Sequence, residues 1–231
     1  MALKFIYMNK IISLLVLVSL SITAMAQSKA IYVNPKFYSL AKNHHKLAVL
    51  PFSVQIGFRP KERESMTPEE IAEMEGKEGV AAQNALVSWF LKKQKTKPFS
   101  IEFQDIQATN ALLMRASIDL NHLDKYTPQE LAKILEVDAV MGGLIQTTKP
   151  ISEGASIAMG VLVGIYGPTN SGNITINLSN AADGALIWKY DKQLSRSLGS
   201  DMNSIMDTLM RKASKQFPYM NMEEYKKEAK K

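Results

Sequence analysis

The chain has no cysteine. Disulfides, thiolate nucleophiles and cysteine-bound metals are therefore excluded, as is a lipid anchor on an amino-terminal cysteine. No apolar run reaches the roughly 20 residues that a membrane-spanning helix needs. Neither a G-x-S-x-G nor an S-x-x-K in a fitting context occurs, and no phosphate-cradling loop and helix follows Gly142-Gly143. Arginine-rich patches with interleaved aromatics are missing too, so nucleic acid is not an expected partner. Nothing in the sequence asks for a cofactor.

What is present begins with an export signal. Lys4 and Lys10 precede an apolar run from Ile11 to Ile22, broken only by Ser13, Ser19 and Ser21. The run ends in Ala24-Met25-Ala26, small residues where a signal peptidase needs them, so cleavage is expected before Gln27. A retained anchor is the alternative, and the run is short for it. The net charge is +6, and two of those charges leave with Lys4 and Lys10, giving about +4 for a mature chain of roughly 200 residues. Hydrophobic residues make up 46% of the chain, enough for a domain that must hold together by its core alone.

Along the mature chain, Lys46 to Val54 is almost continuously apolar and predicts a strand buried on both faces, with Pro51 near its end. A charged stretch over 57–78 follows and reads as a solvated surface insertion. Within it, Thr67-Pro68-Glu69-Glu70 has the spacing of a capping box, opening a short helix that Gly76 would stop. Gly79 to Lys93 predicts a stronger helix on Ala82, Ala85, Leu86, Trp89 and Phe90. A strand at Phe99 to Phe103 and a helix capped by Asp105 come next. Thr127-Pro128-Gln129-Glu130 repeats the capping box ahead of a long strand from Asp138 to Thr147, with a bulge or close backbone approach expected at its glycine pair. Asn173 to Asn180 and Leu186 to Asp191 alternate around Asp183-Gly184 and predict an antiparallel hairpin. A helix from Ser200 to Phe217 ends before Pro218, and the charged residues from Glu223 onward read as a solvated tail.

Three motifs sit on this order of elements. Leu47-Ala-Val-Leu-Pro-Phe52 forms the first strand, Leu131 to Gly143 passes from a short helix into "VDAVMGG", and Asp183-Gly184-Ala-Leu-Ile-Trp188 forms the hairpin turn. The set resembles domains of the Tol-translocation-protein amino-terminal type, curli-secretion-subunit-like proteins and the lipoprotein activators of penicillin-binding proteins. It departs from them in the stretch after Gly57 and in the missing lipidation cysteine. The resemblance implies a binding or assembly role in the envelope of a Gram-negative bacterium, with no catalytic residue to carry over.

Other candidate residues read more plainly. His44-His45 is expected to be a surface loop pair, and His122 to lie in a polar loop with Asp119, Asn121 and Asp124. The 155–166 segment carries no charge: Ile157, Met159, Val161, Leu162, Val163, Ile165 and Tyr166 supply its bulk. Burial on its own sheet, contact with a partner or another copy, and a membrane strand all remain open for it, with the membrane the least favoured. The expected fold is α+β (or α/β): one domain over 27–220, a mixed sheet of about five strands with helices packed on it, a hairpin, a carboxyl-terminal helix and a polar tail over 221–231. The expected function is non-enzymatic protein binding or assembly in the periplasm. A subunit of an outer-membrane pore is the alternative, and a periplasmic hydrolase a distant second.

Overall fold

The computed structural model describes residues 29–58, 60–147, 172–194 and 210–230. The apolar run at Lys46 makes two strands rather than one, β2 (Lys46–Val49) and β3 (Ser53–Ile56). With β1 (Lys29–Val33), β4 (Glu102–Phe103), β5 (Ala139–Thr147), β6 (Gly172–Asn180) and β7 (Leu186–Leu194) they form a seven-stranded mixed sheet. Its order is β1-β7-β6-β5-β2-β4, with β3 also on β5. β2, β3 and β4 run parallel to their neighbours, while the β5–β6, β6–β7 and β7–β1 pairs are antiparallel. The two strands beyond the five expected are β1, too short to show a period, and the second half of the divided run.

The division is a bulge. Val49 pairs with Met141 and Ser53 with Leu144, so four steps on one strand face three on the other. Pro51 sits inside this irregularity, where its missing amide breaks no ladder bond, and Leu50 N still donates to Met141 O at 2.7 Å. No bulge occurs at Gly142-Gly143, because β5 pairs with β6 through both glycines without a shift. The close approach expected there is present: a Cβ on Gly143 would strike the Thr175 carbonyl and the Phe52 ring. The hairpin forms as expected, with its irregularity at Leu178/Ser179 and Gly184 at φ 69° in the turn.

Helices cover both faces. α1 (Phe37–Ala41), α2 (Pro60–Glu64), α3 (Pro68–Gln94), α4 (Ile106–Arg115) and α5 (Pro128–Leu135) precede the hairpin; a helical stretch at 210–214 and α6 (Met222–Glu228) follow it. Thr67 and Thr127 each close a capping box with Glu70 and Glu130, and Asp105 caps α4 through Ala108 N. Gly76 does not stop the first of these helices: α3 runs unbroken for 27 residues. A glycine costs only about 1 kcal/mol inside a helix, and a helix already nucleated by its cap and anchored by Ala82, Leu86 and Phe90 absorbs that. The charged 57–78 stretch is thus α2 and the first turns of α3, exposed over most of its length but ending at buried Glu78. The carboxyl-terminal residues are not wholly solvated either. Tyr225 packs edge-on against Phe37 at 5.0 Å, and Lys97 Nζ donates to Asn221 Oδ1.

One sheet face is covered by α1, α3 and residues 210–219, with Phe90 stacked on Phe103 and against Phe217. On the other face, among the described residues, α4, α5 and a 3₁₀ turn (Leu120–Lys125) pack on Ala48, Leu50 and Val140. β2 is buried on both sides, as its apolar run predicts.

Two glycines three residues apart on α3 separate helix propensity from packing. A Cβ on Gly76 would meet only the end of the exposed Asn121 side chain, which can swing away, whereas on Gly79 it would strike the Phe52 carbonyl. Gly76→Ala is expected to raise stability by roughly 0.5–1 kcal/mol. Gly79→Ala should lower it by about 2 kcal/mol. Urea melts of both variants check the opposite signs.

Candidate functional site

The apolar residues Ile157 to Tyr166 lie outside the described residues. Their flanks do not: Thr147 and Gly172 pair directly, β3 ends beside Thr147 and β7 ends beside Gly172. Residues 148–171 therefore connect two paired strands at the end of the sheet where β1 begins.

Beyond the reach of α4 and α5, the second sheet face carries the polar half of the hairpin's alternation. Asn177 of β6 is level with Lys189 of β7, and Thr175 with Asp191. Thr175 Oγ1 donates to Asp191 Oδ1 at 2.6 Å, and Lys189 Nζ lies 3.0 Å from Asp191 Oδ2. Tyr32 of β1 is level with Lys189 and 44% exposed. At the far side Gln146 Nε2 donates to Gln55 Oε1. Asn177 Oδ1 is buried with no hydrogen-bond partner among the described residues. The face offers donors, acceptors and one internally paired carboxylate, which suits recognition.

Among the described residues β1 is the terminal strand of this sheet. Asn34 N donates to Ile187 O, so the alternation of an antiparallel ladder turns the backbone groups of Ile31 and Val33 outward. Ile31 is also 37% exposed. Sequence reading missed β1, although its Ala-Ile-Tyr-Val core carries the β-branched and aromatic residues that strands favour.

The histidines divide. His44 is buried, not on a surface loop: its Nδ1 is 2.6 Å from Tyr219 Oη and its Nε2 3.0 Å from Asn180 Oδ1. Asn180 is oriented by its own donation from Nδ2 to Asp183 Oδ1 at 2.7 Å. The neutral His44 tautomer with hydrogen on Nε2 then satisfies every group, donating to Asn180 and accepting from Tyr219. Burial lowers the His44 pKa, more than the Asn180 bond and nearby Asp138 raise it. Asp138 accepts from the backbone N–H of His45 and Lys46 at 2.8 and 2.9 Å. Burial opposes its charge, but those bonds and the adjacent histidines outweigh burial and hold its pKa below the usual range. His122 is exposed and bonds Asp119 Oδ2 at 2.8 Å, closing a turn that Asp119 also caps through Asn121 N. Among the described residues no group of three or more His, Asp or Glu is placed to hold a metal, and no helix is long and apolar enough to cross a membrane.

The fold is α+β, a mixed sheet whose second face is covered in part by helices among the described residues. No family model matches the chain, and the search of curated proteins found no match. Among solved structures it is similar to a PelC dodecamer from Paraburkholderia phytofirmans, at 15% identity over 80% of this chain and 92% of that one, with a TM-score of 0.38. It is also similar to lipoprotein GNA1162 from Neisseria meningitidis, at 10% identity over 74% and 94%, with a TM-score of 0.41. The carboxyl-terminal domain of LpoB from Salmonella enterica gives 12% identity over 66% and 83%, with a TM-score of 0.34. Likeness at this level fixes neither a partner nor an activity.

The buried histidine makes stability depend on pH. Its pKa is lower folded than unfolded, so unfolding takes up a proton once pH falls below about 6.5. Stability is full above that value and declines as pH drops towards the folded pKa. A lower urea midpoint at pH 5.5 than at 7.5 is expected, with a smaller difference in His44→Gln. Tyr219→Phe leaves His44 Nδ1 without its donor and should cost about 1–2 kcal/mol at pH 7.5 in the same melts.

Proposed function

We propose that this chain is a non-enzymatic, exported envelope protein that binds another envelope protein or assembles with copies of itself in the periplasm. Cleavage after Ala26 would leave Gln27 at the amino terminus, two residues before β1. The observation that carries the reading is the outer edge of β1, which no described strand pairs with: its backbone groups turn outward, and Ile31 and Tyr32 are exposed beside a sheet face that the described helices cover in part. Such an edge accepts a further strand through main-chain hydrogen bonds, and monomeric proteins guard against that. The outer flank of β3 and the bulge before it is guarded in this way: Ile56 N donates to Glu75 Oε1 of α3, and Phe52 N to Gly79 O. The segment around Val161 and Val163, joined to the same end of the sheet, is a second contact in this reading.

Ile31→Lys puts a charge on the open edge without removing a bond to β7, so fold stability should change by no more than about 0.5 kcal/mol. In sedimentation velocity and in-cell cross-linking, the mature chain is expected as a complex or small oligomer, which Ile31→Lys disperses. A monomer that cross-links to nothing would overturn the reading. A ring of many copies that survives mild detergent and an alkaline carbonate wash would replace it with the pore subunit.

A further inference from the structure

A local excess of positive charge forms where two distant stretches of the chain meet. Residues 92–97 and 211–215 together hold seven basic side chains and no acidic one. The fold brings the two stretches together through aromatic rings. Phe99 and Phe217, each two residues beyond a lysine (Lys97 and Lys215), have ring centroids 5.2 Å apart, and Phe90 lies 4.5 Å from Phe217. Lys97 Nζ is fixed there by Asn221 Oδ1 at 2.6 Å. None of the seven forms an ion pair with a described residue, and the stretch beside them from Glu223 to Lys230, α6 and the two residues after it, is balanced with three acidic and three basic side chains. α3 separates its charges along its length, with Glu69 and Glu70 in the first turn and Lys92 and Lys93 in the last. The basic end also has apolar surface. Leu91 is 48% exposed, and Lys92 Nζ stands 4.4 Å over the Trp89 ring.

We infer that this basic end docks the protein on an anionic phospholipid surface. Like-signed charge with no acidic partner among the described residues is matched by a surface of opposite sign, and each basic group near such a surface adds to the attraction. Tryptophan beside lysine is the pairing that suits the headgroup layer, where a ring and a hydrocarbon stem sit below a charged head. The chain has no cysteine for a lipid anchor, so electrostatic docking would supply a membrane association that is reversible and sensitive to salt. This is independent of the β1 edge, which lies at the other end of the sheet order from β4 and the Phe99–Phe103 corner.

The test mixes the mature chain with extruded vesicles of phosphatidylcholine alone, or of phosphatidylcholine with phosphatidylglycerol, and reads the bound fraction after pelleting. Binding is expected on the anionic vesicles in low salt, weaker by at least about tenfold on neutral vesicles or in 0.5 M salt. Lys93→Glu/Lys95→Glu/Lys97→Glu should lose at least about tenfold while keeping the circular dichroism spectrum of the folded parent at the assay temperature, and Lys212→Glu/Lys215→Glu should weaken binding from the second stretch. Ile31→Lys should bind vesicles as the parent chain does. Equal binding to both vesicle types, or a triple variant that binds like the parent, would overturn the inference. So would lysine variants that disperse an oligomer in sedimentation velocity while the parent never pellets with vesicles, because the basic end would then face another copy.

Discussion

Gly79 of α3 lies against the carbonyl of Phe52 so closely that no side chain fits between them, and its own carbonyl accepts from Phe52 N at 3.2 Å. Phe52 belongs to the bulge that divides the first strand, and its ring closes over Gly143 of β5. Three parts of the chain therefore meet, α3 and the bulge backbone to backbone and the bulge and β5 through the Phe52 ring. The bulge turns Phe52 towards the helix, Gly79 admits it, and Gly143 makes room for its ring. Because α3 is about 40 Å long, fixing it at this point directs its acidic start and lysine-rich end to opposite ends of the molecule. The contact also lays α3 along β3, where Glu75 caps Ile56 N and that flank of the sheet is closed.

A second tie holds the far ends of the chain. Tyr219, His44 and Asn180 are 175 and 136 residues apart in their two pairings, and the three polar groups satisfy one another inside the core. Asp138 extends the tie by gripping the backbone at His45 and Lys46, which starts β2 in register with β5. A polar cluster of this kind stabilises modestly while whole, yet a missing member leaves buried groups unpaired. It therefore specifies where the carboxyl-terminal segment docks more than how strongly.

The sequence was legible where the deciding interaction is local. The capping boxes at Thr67 and Thr127, the Asp105 cap and the alternation of the hairpin all form within a few residues, so their signals survive without tertiary context. It was illegible where a distant residue decides. Gly76 looks like a stop until Gly79 is known to rest on Phe52, and the run from Lys46 looks like one strand until the register of β5 counts the extra residue. His44 reads as a loop residue because both of its partners arrive from the other half of the chain. Of the site, the polar half of the hairpin was visible in the pattern, but β1 was not: five residues are too few to show a period, and β7 is what makes them a strand.

The half-covered face follows from element lengths. α4 and α5 have 10 and 8 residues, about 15 and 12 Å, whereas β5, β6 and β7 each have 9 residues and extend about 30 Å. The helical cover ends part-way, and from there the strands change from Ala48, Leu50 and Val140 to Thr175, Asn177, Lys189 and Asp191. Among the described residues, composition and geometry agree at that boundary. A partner on this face would then meet an already folded surface, with polar side chains and an open strand edge as its contacts. Such an interface forms and releases without unfolding either protein, and its selectivity lies in matching hydrogen bonds, since unmatched polar groups are what a wrong partner would bury.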